Sequence, residues 1–400
     1  MQTANKFSVA RYAPEQRGAM AKLTARDSVV RRLDWPILLS ALALSLIGAL
    51  LVWSATRNRT SLNNGDPYYF LFRHAMNTGI GLVLMIGTIW LGHRTLRGAV
   101  PILYGLSVVL ILAVLTPLGA TINGAHAWIV VGGGFSLQPS EFVKITIILV
   151  MAMLLATRVD AGDLAHPDHR TVVKALCLAA FPMGIIMLMP DLGSVMVMVV
   201  IVLGVLLASG ASNRWVLGLL GSGAGGAILI WQLGVLDEYQ INRFAAFANP
   251  ELDPAGVGYN TNQARIAIGS GGLTGSGLFK GSQTTGQFVP EQQTDFVFTV
   301  AGEELGFVGA GLILVLLGVI LWRACVIARE TTELYGTIVC AGIIAWFAFQ
   351  SFENIGMTLG IMPVAGLPLP FVSYGGSSMF AVWVAIGLLQ SIRVQRPMSA

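Results

Sequence analysis

The chain has 400 residues, 55% hydrophobic and 11% charged, with a formal net charge of +4 and a mean hydropathy of +0.73. A soluble domain of this length has no way to hide so much apolar surface, so the fold class is an all-α polytopic membrane protein. The sequence pI near 9.1 raises a nucleic-acid reading, but the basic residues are scattered in short loops between apolar runs, the pattern of the positive-inside bias, and no nucleic-acid partner is expected.

In chain order, a tail over residues 1–35 carries Lys6, Arg11, Arg17, Lys22, Arg26, Arg31 and Arg32 and is expected in the cytoplasm. About ten apolar runs follow, at 36–54, 75–92, 100–116, 140–157, 173–189, 192–208, 215–233, 305–323, 337–355 and 376–391. Each approaches the ~17–25 residues that cross a bilayer. Ten spans leave both termini inside, with 17 Lys and Arg in inner segments, 6 in outer ones and Lys144 within a span. The first span is not expected to be a cleaved signal, because its polar preamble is too long and no small-x-small site follows Trp53. The reading is one membrane domain over 36–392, with a large extracellular loop at 234–304 between spans seven and eight, and a short cytoplasmic tail at 393–400. Cys177, Cys325 and Cys340 fall at inner, reducing ends of spans, so they read as core residues rather than disulfides.

Between spans three and four, Asn123-Gly124, Trp128 and the glycines 132–134 read as turns around an interfacial tryptophan. QPSEFVK (138–144) opens span four. Pro139 and Ser140 suit a helix start, and Glu141 and Lys144 stand i,i+3 on one face. They form either a self-neutralising pair or a cavity-facing pair in which Lys144 offers charge to an anionic substrate. PDLG (190–193) leaves almost no loop between spans five and six, with Asp191 as a helix N-cap or a substrate contact.

The outer loop is rich in glycine from Gly256 to Gly286, and NQARIAIG (262–269) has the pattern of a half-buried helix. Its cations, Arg243, Arg265 and Lys280, either meet lipid headgroups or grip a pyrophosphate. Among its acids, Asp237 and Glu238 lie near its start, and Glu251 and Asp253 lie in a turn-forming NPELDP. Glu303 and Glu304 are expected to favour the N-terminus of span eight. Glu291 and Asp295 lie in PEQQTD. Asp295 precedes the apolar run Phe296-Val297-Phe298, which should desolvate its carboxylate and raise its proton affinity, as suits a general base. Carboxylates at a membrane mouth are costly and are functional candidates by default. The last outer segment (354–378) holds Pro363, Pro368 and Pro370 among glycines and cannot be one regular helix. Backbone of that kind at membrane depth is tolerated when it is buried in protein or lines a wet cavity.

Two chemistries are excluded. GSGLFKGS (275–282) lacks the ordered ending and preceding strand of a P-loop, so no nucleotide is expected. The histidines are dispersed, and His166 with His169 gathers no further ligands for zinc.

QPSEFVK, PDLG, the segments 239–272 and 275–309, and 354–378 together resemble the SEDS family (shape, elongation, division and sporulation), from about residue 35 to 392. The run GLFKGSQTTGQFVPEQQTDF is closer to its elongation branch than to its division branch. The resemblance implies a peptidoglycan glycosyltransferase that polymerises lipid II at the outer face of the bacterial cytoplasmic membrane. Its essential acid falls on Asp295, and Glu141 and Lys144 fall on the family's matching pair. Its partner would be a class B penicillin-binding protein, docking on spans eight and nine, where Gly302, Gly306 and Ala310 form a small-residue stripe. Packing within this chain is the other reading of that stripe. One departure is Gly124-Ala125-His126-Ala127-Trp128, where the family has a basic residue directly before the tryptophan; His126 is an open substitute.

The chemistry agrees. A lipid pyrophosphate donor needs no ATP, a neutral sugar hydroxyl needs a general base, and an anionic leaving group calls for Lys144, Arg243, Arg265 or a divalent cation such as Mg²⁺ or Mn²⁺. A lipid flippase and a noncatalytic scaffold for a cell-wall synthase are the competing readings.

Overall fold

In the computed structural model, residues 29–63, 65–122, 125–132, 135–189, 191–232, 234 and 257–396 are described. The chain divides into two units, Met1–Leu33 and Asp34–Ala400. The first holds the helical turn Val29–Arg32.

In the second unit a helix stands at each expected span: α1 Trp35–Thr56, α2 Tyr69–Leu91, α3 His93–Val114, α4 Pro139–Asp160, α5 His169–Met187, α6 Leu192–Ala208 and α7 Asn213–Gln232. After α8, Val257–Ser270, come α9 Gly306–Glu330, α10 Leu334–Leu359 and α11 Gly376–Val394. Eight of these, α1–α5 and α9–α11, are long and apolar enough to cross a membrane, while α6, at 17 residues, is shorter. α4, α10 and α11 form the inner layer, with Trp346 and Trp383 fully buried. α2, α3 and α9 turn large apolar side chains outward, among them Trp90, Ile102 and Phe307.

Polar clamps fix the helix ends, because lipid offers no hydrophobic drive between helices. Asp34 accepts the Ile37 N–H at the start of α1. Its carboxylate also pairs with Arg323 of α9 at 2.6 Å and with Arg393 of α11 at 2.9 Å. Gln390 accepts the Asp34 N–H and donates to its carbonyl, at 2.7 and 2.9 Å.

One segment departs from the expected turns. The stretch before α4 is a three-stranded antiparallel sheet in the order β1-β2-β3: β1 Gly119–Ile122, β2 Ala125–Gly132 and β3 Phe135–Leu137. Ile129-Val130-Val131 favours extended backbone, and Asn123-Gly124 is a hairpin signal. β3 runs through Gln138 directly into α4, so the sheet stands against the start of that helix.

The expected half-buried helix is α8, with Ala264 and Ala267 fully buried and Arg265 and Ile266 exposed. The glycines after it have a steric reason. A Cβ at Gly271 would collide with the Gly302 carbonyl, and one at Gly275 with the Glu304 carbonyl. Residues 271–277 thus lie backbone to backbone on the π-helical turn Ala301–Leu305 that precedes α9. Ser276 and Gly277 donate to the Glu303 and Glu304 carbonyls, and Phe307 and Val308 donate to those of Gly272 and Leu273. Gly306, at φ 67°, makes the break.

That packing corrects two expectations. Glu303 does not serve the N-terminus of span eight; it reaches back and accepts the N–H groups of Gln283 and Thr284, at 2.7 and 2.9 Å, capping the turn Ser282–Thr285. Glu304 accepts from Ser54 of α1 at 2.6 Å. The stripe of Gly302, Gly306 and Ala310 is used within the chain: Gly302 faces Ile268, Gly306 faces Leu273 and Gly275, and Ala310 is buried.

Candidate active site

The PEQQTD segment is a tight turn held from both sides. Glu291, at φ 49°, turns its carbonyl toward the N–H groups of Thr294, Asp295 and Phe296, at 3.2, 3.1 and 3.1 Å. Such strained backbone persists when its surroundings over-determine it, and here they do. Three successive carbonyls are taken by the end of α10 and the 360–375 segment: Gln293 by the Tyr374 N–H at 2.8 Å, Thr294 by the Ser373 hydroxyl at 2.5 Å, and Asp295 by the Asn354 amide at 2.7 Å. Asn354 gives its second hydrogen to the Leu367 carbonyl, also at 2.7 Å. From the other side, buried Arg59 donates to the Val289 carbonyl at 2.9 Å and to Gln292 Oε1 at 3.2 Å.

Asp295 itself is half-buried. Phe296, Val297 and Phe298 behind it are buried, and Phe296 packs with Ala264, Val289 and Val364. Asp295 Oδ2 lies 3.5 Å from the place a Cβ would take at Gly366, whose φ is 72°. A Cβ there would touch the carboxylate at ordinary contact distance, and the left-handed backbone would be strained.

The start of α4 supports this loop. Lys144 is fully buried; it donates to Glu141 Oε1 at 2.7 Å and to Gln350 Oε1 at 3.0 Å, and lies 4.9 Å from the Trp346 ring. Trp346 donates to the same Gln350 oxygen at 2.7 Å, and Gln350 donates to the Pro368 carbonyl at 2.7 Å. Lys144 and Glu141 therefore sit as a buried pair whose hydrogen bonds run through Gln350 to the last loop. Asp191 caps α6 through the Ser194 N–H at 3.0 Å and accepts from Gln138 and Ser140 at 3.3 Å each. It joins the two motifs, and is partly exposed.

On the other side of the 290–295 turn lies a cavity of about 210 Å³. Its walls include Arg73 and Asn77 of α2, Trp128 of β2, Glu291, Gln293 and Tyr374. The Arg73 side chain hydrogen-bonds the Tyr374 hydroxyl; burial pushes that hydroxyl above its ordinary value and Arg73 opposes the shift, so it stays a neutral donor.

The structure thus gathers Asp295, Asp191, Glu141 and Lys144 around one loop system. Arg265 is exposed on α8, its stem passing Gly360 at the end of α10, and Lys280 is exposed beyond it. Arg243, with Asp237, Glu238, Glu251 and Asp253, lies outside the described residues. His126 stands between Thr121 Oγ1 at 3.0 Å and the Val114 carbonyl at 2.9 Å, tying the sheet to α3. Among the described residues no group of three or more His, Cys, Asp or Glu converges for a metal. Sequence reasoning missed Arg59, Arg73, Asn77, Gln293, Asn354 and Tyr374. The one available signal was Arg73 and Asn77 at i,i+4 on one face of a mostly apolar helix.

A family model described as a cell cycle protein, FtsW/RodA/SpoVE, matches residues 34–397. The chain is 37% identical to stage V sporulation protein E of Bacillus subtilis, over 90% of this chain and 96% of that one. It is 35% identical to the peptidoglycan glycosyltransferase MrdB of Escherichia coli, over 94% and 97%. A solved chain from a peptidoglycan synthase complex that coordinates polymerisation and crosslinking superposes with a TM-score of 0.74 at 31% identity, covering 92% of this chain and 99% of that one.

Proposed function

The chain belongs to the FtsW/RodA/SpoVE family of cell cycle proteins, the SEDS family, and on that footing we propose that it is a peptidoglycan glycosyltransferase that polymerises lipid II during cell elongation. One observation carries the site assignment. Asp295 is half-buried on a turn where its own carbonyl and the two before it are each held by the 354–375 region, so a carboxylate is fixed in place with apolar residues behind it and a cavity of mixed polar and aromatic walls beside the turn.

In the reaction, the acceptor sugar hydroxyl attacks the anomeric carbon of the donor. The new C–O bond forms as the bond to undecaprenyl pyrophosphate breaks, and the leaving group takes the electron pair. Asp295 takes the hydroxyl proton, since a neutral hydroxyl is too weak a nucleophile without a base. Arg265, exposed on α8, and Arg243 are the cations proposed for the pyrophosphate, a charge-assisted and bidentate grip. Lys144 and Glu141 act from behind by holding Gln350 and the last loop. A divalent cation, Mg²⁺ or Mn²⁺, would neutralise charge on the leaving group. Such an ion is proposed to arrive on the pyrophosphate, since Mg²⁺ is commonly held by substrate phosphates with one or two carboxylates rather than by a protein cage.

The chain is a multi-pass membrane protein, and we place both termini in the cytoplasm and the 234–304 loop outside, from the Lys and Arg distribution. A class B penicillin-binding protein is the proposed partner, supported by the synthase complex that the chain resembles. Its single helix would lie on the outward face of α9, where Val308, Val315 and Trp322 are exposed, rather than on the glycine stripe.

Purified protein given labelled lipid II tests the activity. Glycan polymer supports the enzyme; translocation without polymer would mean a flippase, and neither would mean a scaffold.

A further inference from the structure

The cavity beside the 290–295 turn carries two orphaned acceptors. Gln293 Oε1 and Asn77 Oδ1 are buried without a hydrogen-bond partner in the protein; their side chains are 5% and 4% exposed, and both line the cavity. The Gln293 amide has a fixed orientation: its Nε2 donates to Glu291 Oε2 at 3.1 Å, and the flipped amide would set oxygen against carboxylate. Leaving a buried acceptor unmet is costly, so the site calls for donors.

We propose that this cavity seats the N-acetylated sugar ring of the acceptor, with Gln293 and Asn77 receiving its N–H and O–H groups. The proposal rests on the glycosyltransferase reading and assigns a part of its site. Three observations support it. A sugar carries hydroxyl and acetamido donors, whereas a pyrophosphate presents oxygens alone, which two amide oxygens and the Glu291 carboxylate would repel. The volume of about 210 Å³ lies below the ~300–1,000 Å³ of drug-sized ligand sites, enough for one ring and too little for a disaccharide with its peptide. Trp128 and Tyr374 give the walls flat apolar faces with polar tips, suited to the C–H face of a pyranose. The acceptor fits rather than the donor, because the donor ring carries the pyrophosphate at its reacting carbon and belongs beside cations. Arg73 brings the one guanidinium among the lining residues and Glu291 a carboxylate, so the walls hold no excess of cations for a pyrophosphate. Thr294, the residue before Asp295, also lines the cavity, so the seat lies beside the turn that carries the base.

The test uses the full chain in nanodiscs with the Asp295→Asn substitution, expected to slow turnover by ~10²-fold or more. The probe is the soluble disaccharide of N-acetylglucosamine and N-acetylmuramic acid, titrated calorimetrically, with inorganic pyrophosphate as competitor. Gln293→Met and Asn77→Leu should each weaken disaccharide binding about 3- to 10-fold, the scale of one neutral hydrogen bond, and pyrophosphate should not displace it. Trp128→Phe should bind more tightly than Trp128→Ala, which keeps the proposal testable if a buried amide variant does not fold. Displacement by pyrophosphate, or binding equal across the wild-type residues and all these variants, overturns the assignment. Absence of polymer from lipid II would instead defeat the glycosyltransferase reading, and the binding series is scored independently of it.

Discussion

Replacing Lys144 by Met separates the two roles open to this lysine. Lys144 is 0% exposed and Glu141 1%, so the substitution leaves a carboxylate inside the protein with neither oxygen satisfied; Glu141 Oε2 already lacks a partner. Breaking a buried pair from one side costs about 3–5 kcal/mol, whereas replacing both partners with apolar groups of similar size is often neutral. Lys144→Met should therefore destabilise the protein by about that much. The double variant Lys144→Met with Glu141→Leu should recover most of it, less about 1 kcal/mol for the lost hydrogen bond to Gln350. The assay is thermal unfolding in detergent, paired with lipid II turnover of the folded fraction. If the lysine acts by holding the loop, turnover recovers with stability in the double variant. A double variant that is stable yet as inactive as Lys144→Met would refute this and make Lys144 a substrate contact.

Four other outcomes follow from the same contacts. Asn354→Leu removes two hydrogen bonds, to the Asp295 and Leu367 carbonyls, and should cut turnover at least about 10-fold in protein that still folds, since 1 Å of misplacement can cost ~10²-fold; unchanged turnover would show the clamp to be dispensable. Asp34→Ala strands Arg323 and Arg393 and removes a helix cap worth about 1 kcal/mol, so the unfolding temperature should fall while turnover per folded molecule stays within about twofold, a shift well under one 1.4 kcal/mol decade. Gly271→Val should abolish folded expression, because its Cβ meets the Gly302 carbonyl; normal yield would contradict the packing described for residues 271–277. Chelation with EDTA should lower turnover and added Mg²⁺ restore it, if the ion travels with the pyrophosphate; indifference to EDTA would remove the ion from the account.

The helices were legible because a bilayer demands long apolar runs, eight of them, among the described residues, long and apolar enough to cross, and the broken last loop because Pro363, Pro368 and Pro370 forbid a helix. α8 was legible from the weak helical patterning of NQARIAIG, in which Ala264 and Ala267 stand i,i+3. The sheet was not: its eight-residue middle strand is flanked by glycines and holds Trp128, so with Asn123-Gly124 the segment reads as turns around an interfacial tryptophan. Nor was the hold on Asp295. Asn354 lies 59 residues further on, in what reads as the end of a membrane helix, and its partner is a backbone carbonyl that carries no sequence signal. Glu303 misled for a related reason. Its neighbours in sequence begin span eight, but the π-helical turn and Gly306 redirect it to a helical turn twenty residues earlier. The stripe of small residues was visible, and what it packs against was not.

The central claim is that Asp295 takes the proton of the acceptor hydroxyl. The most direct measurement is polymerisation of labelled lipid II by folded Asp295→Asn protein, compared with the wild-type chain in the same membranes. The account predicts a fall of ~10²-fold or more, the scale of a lost general base, with unfolding temperature and lipid II binding unchanged. Near-normal polymer from a folded Asp295→Asn protein would contradict it.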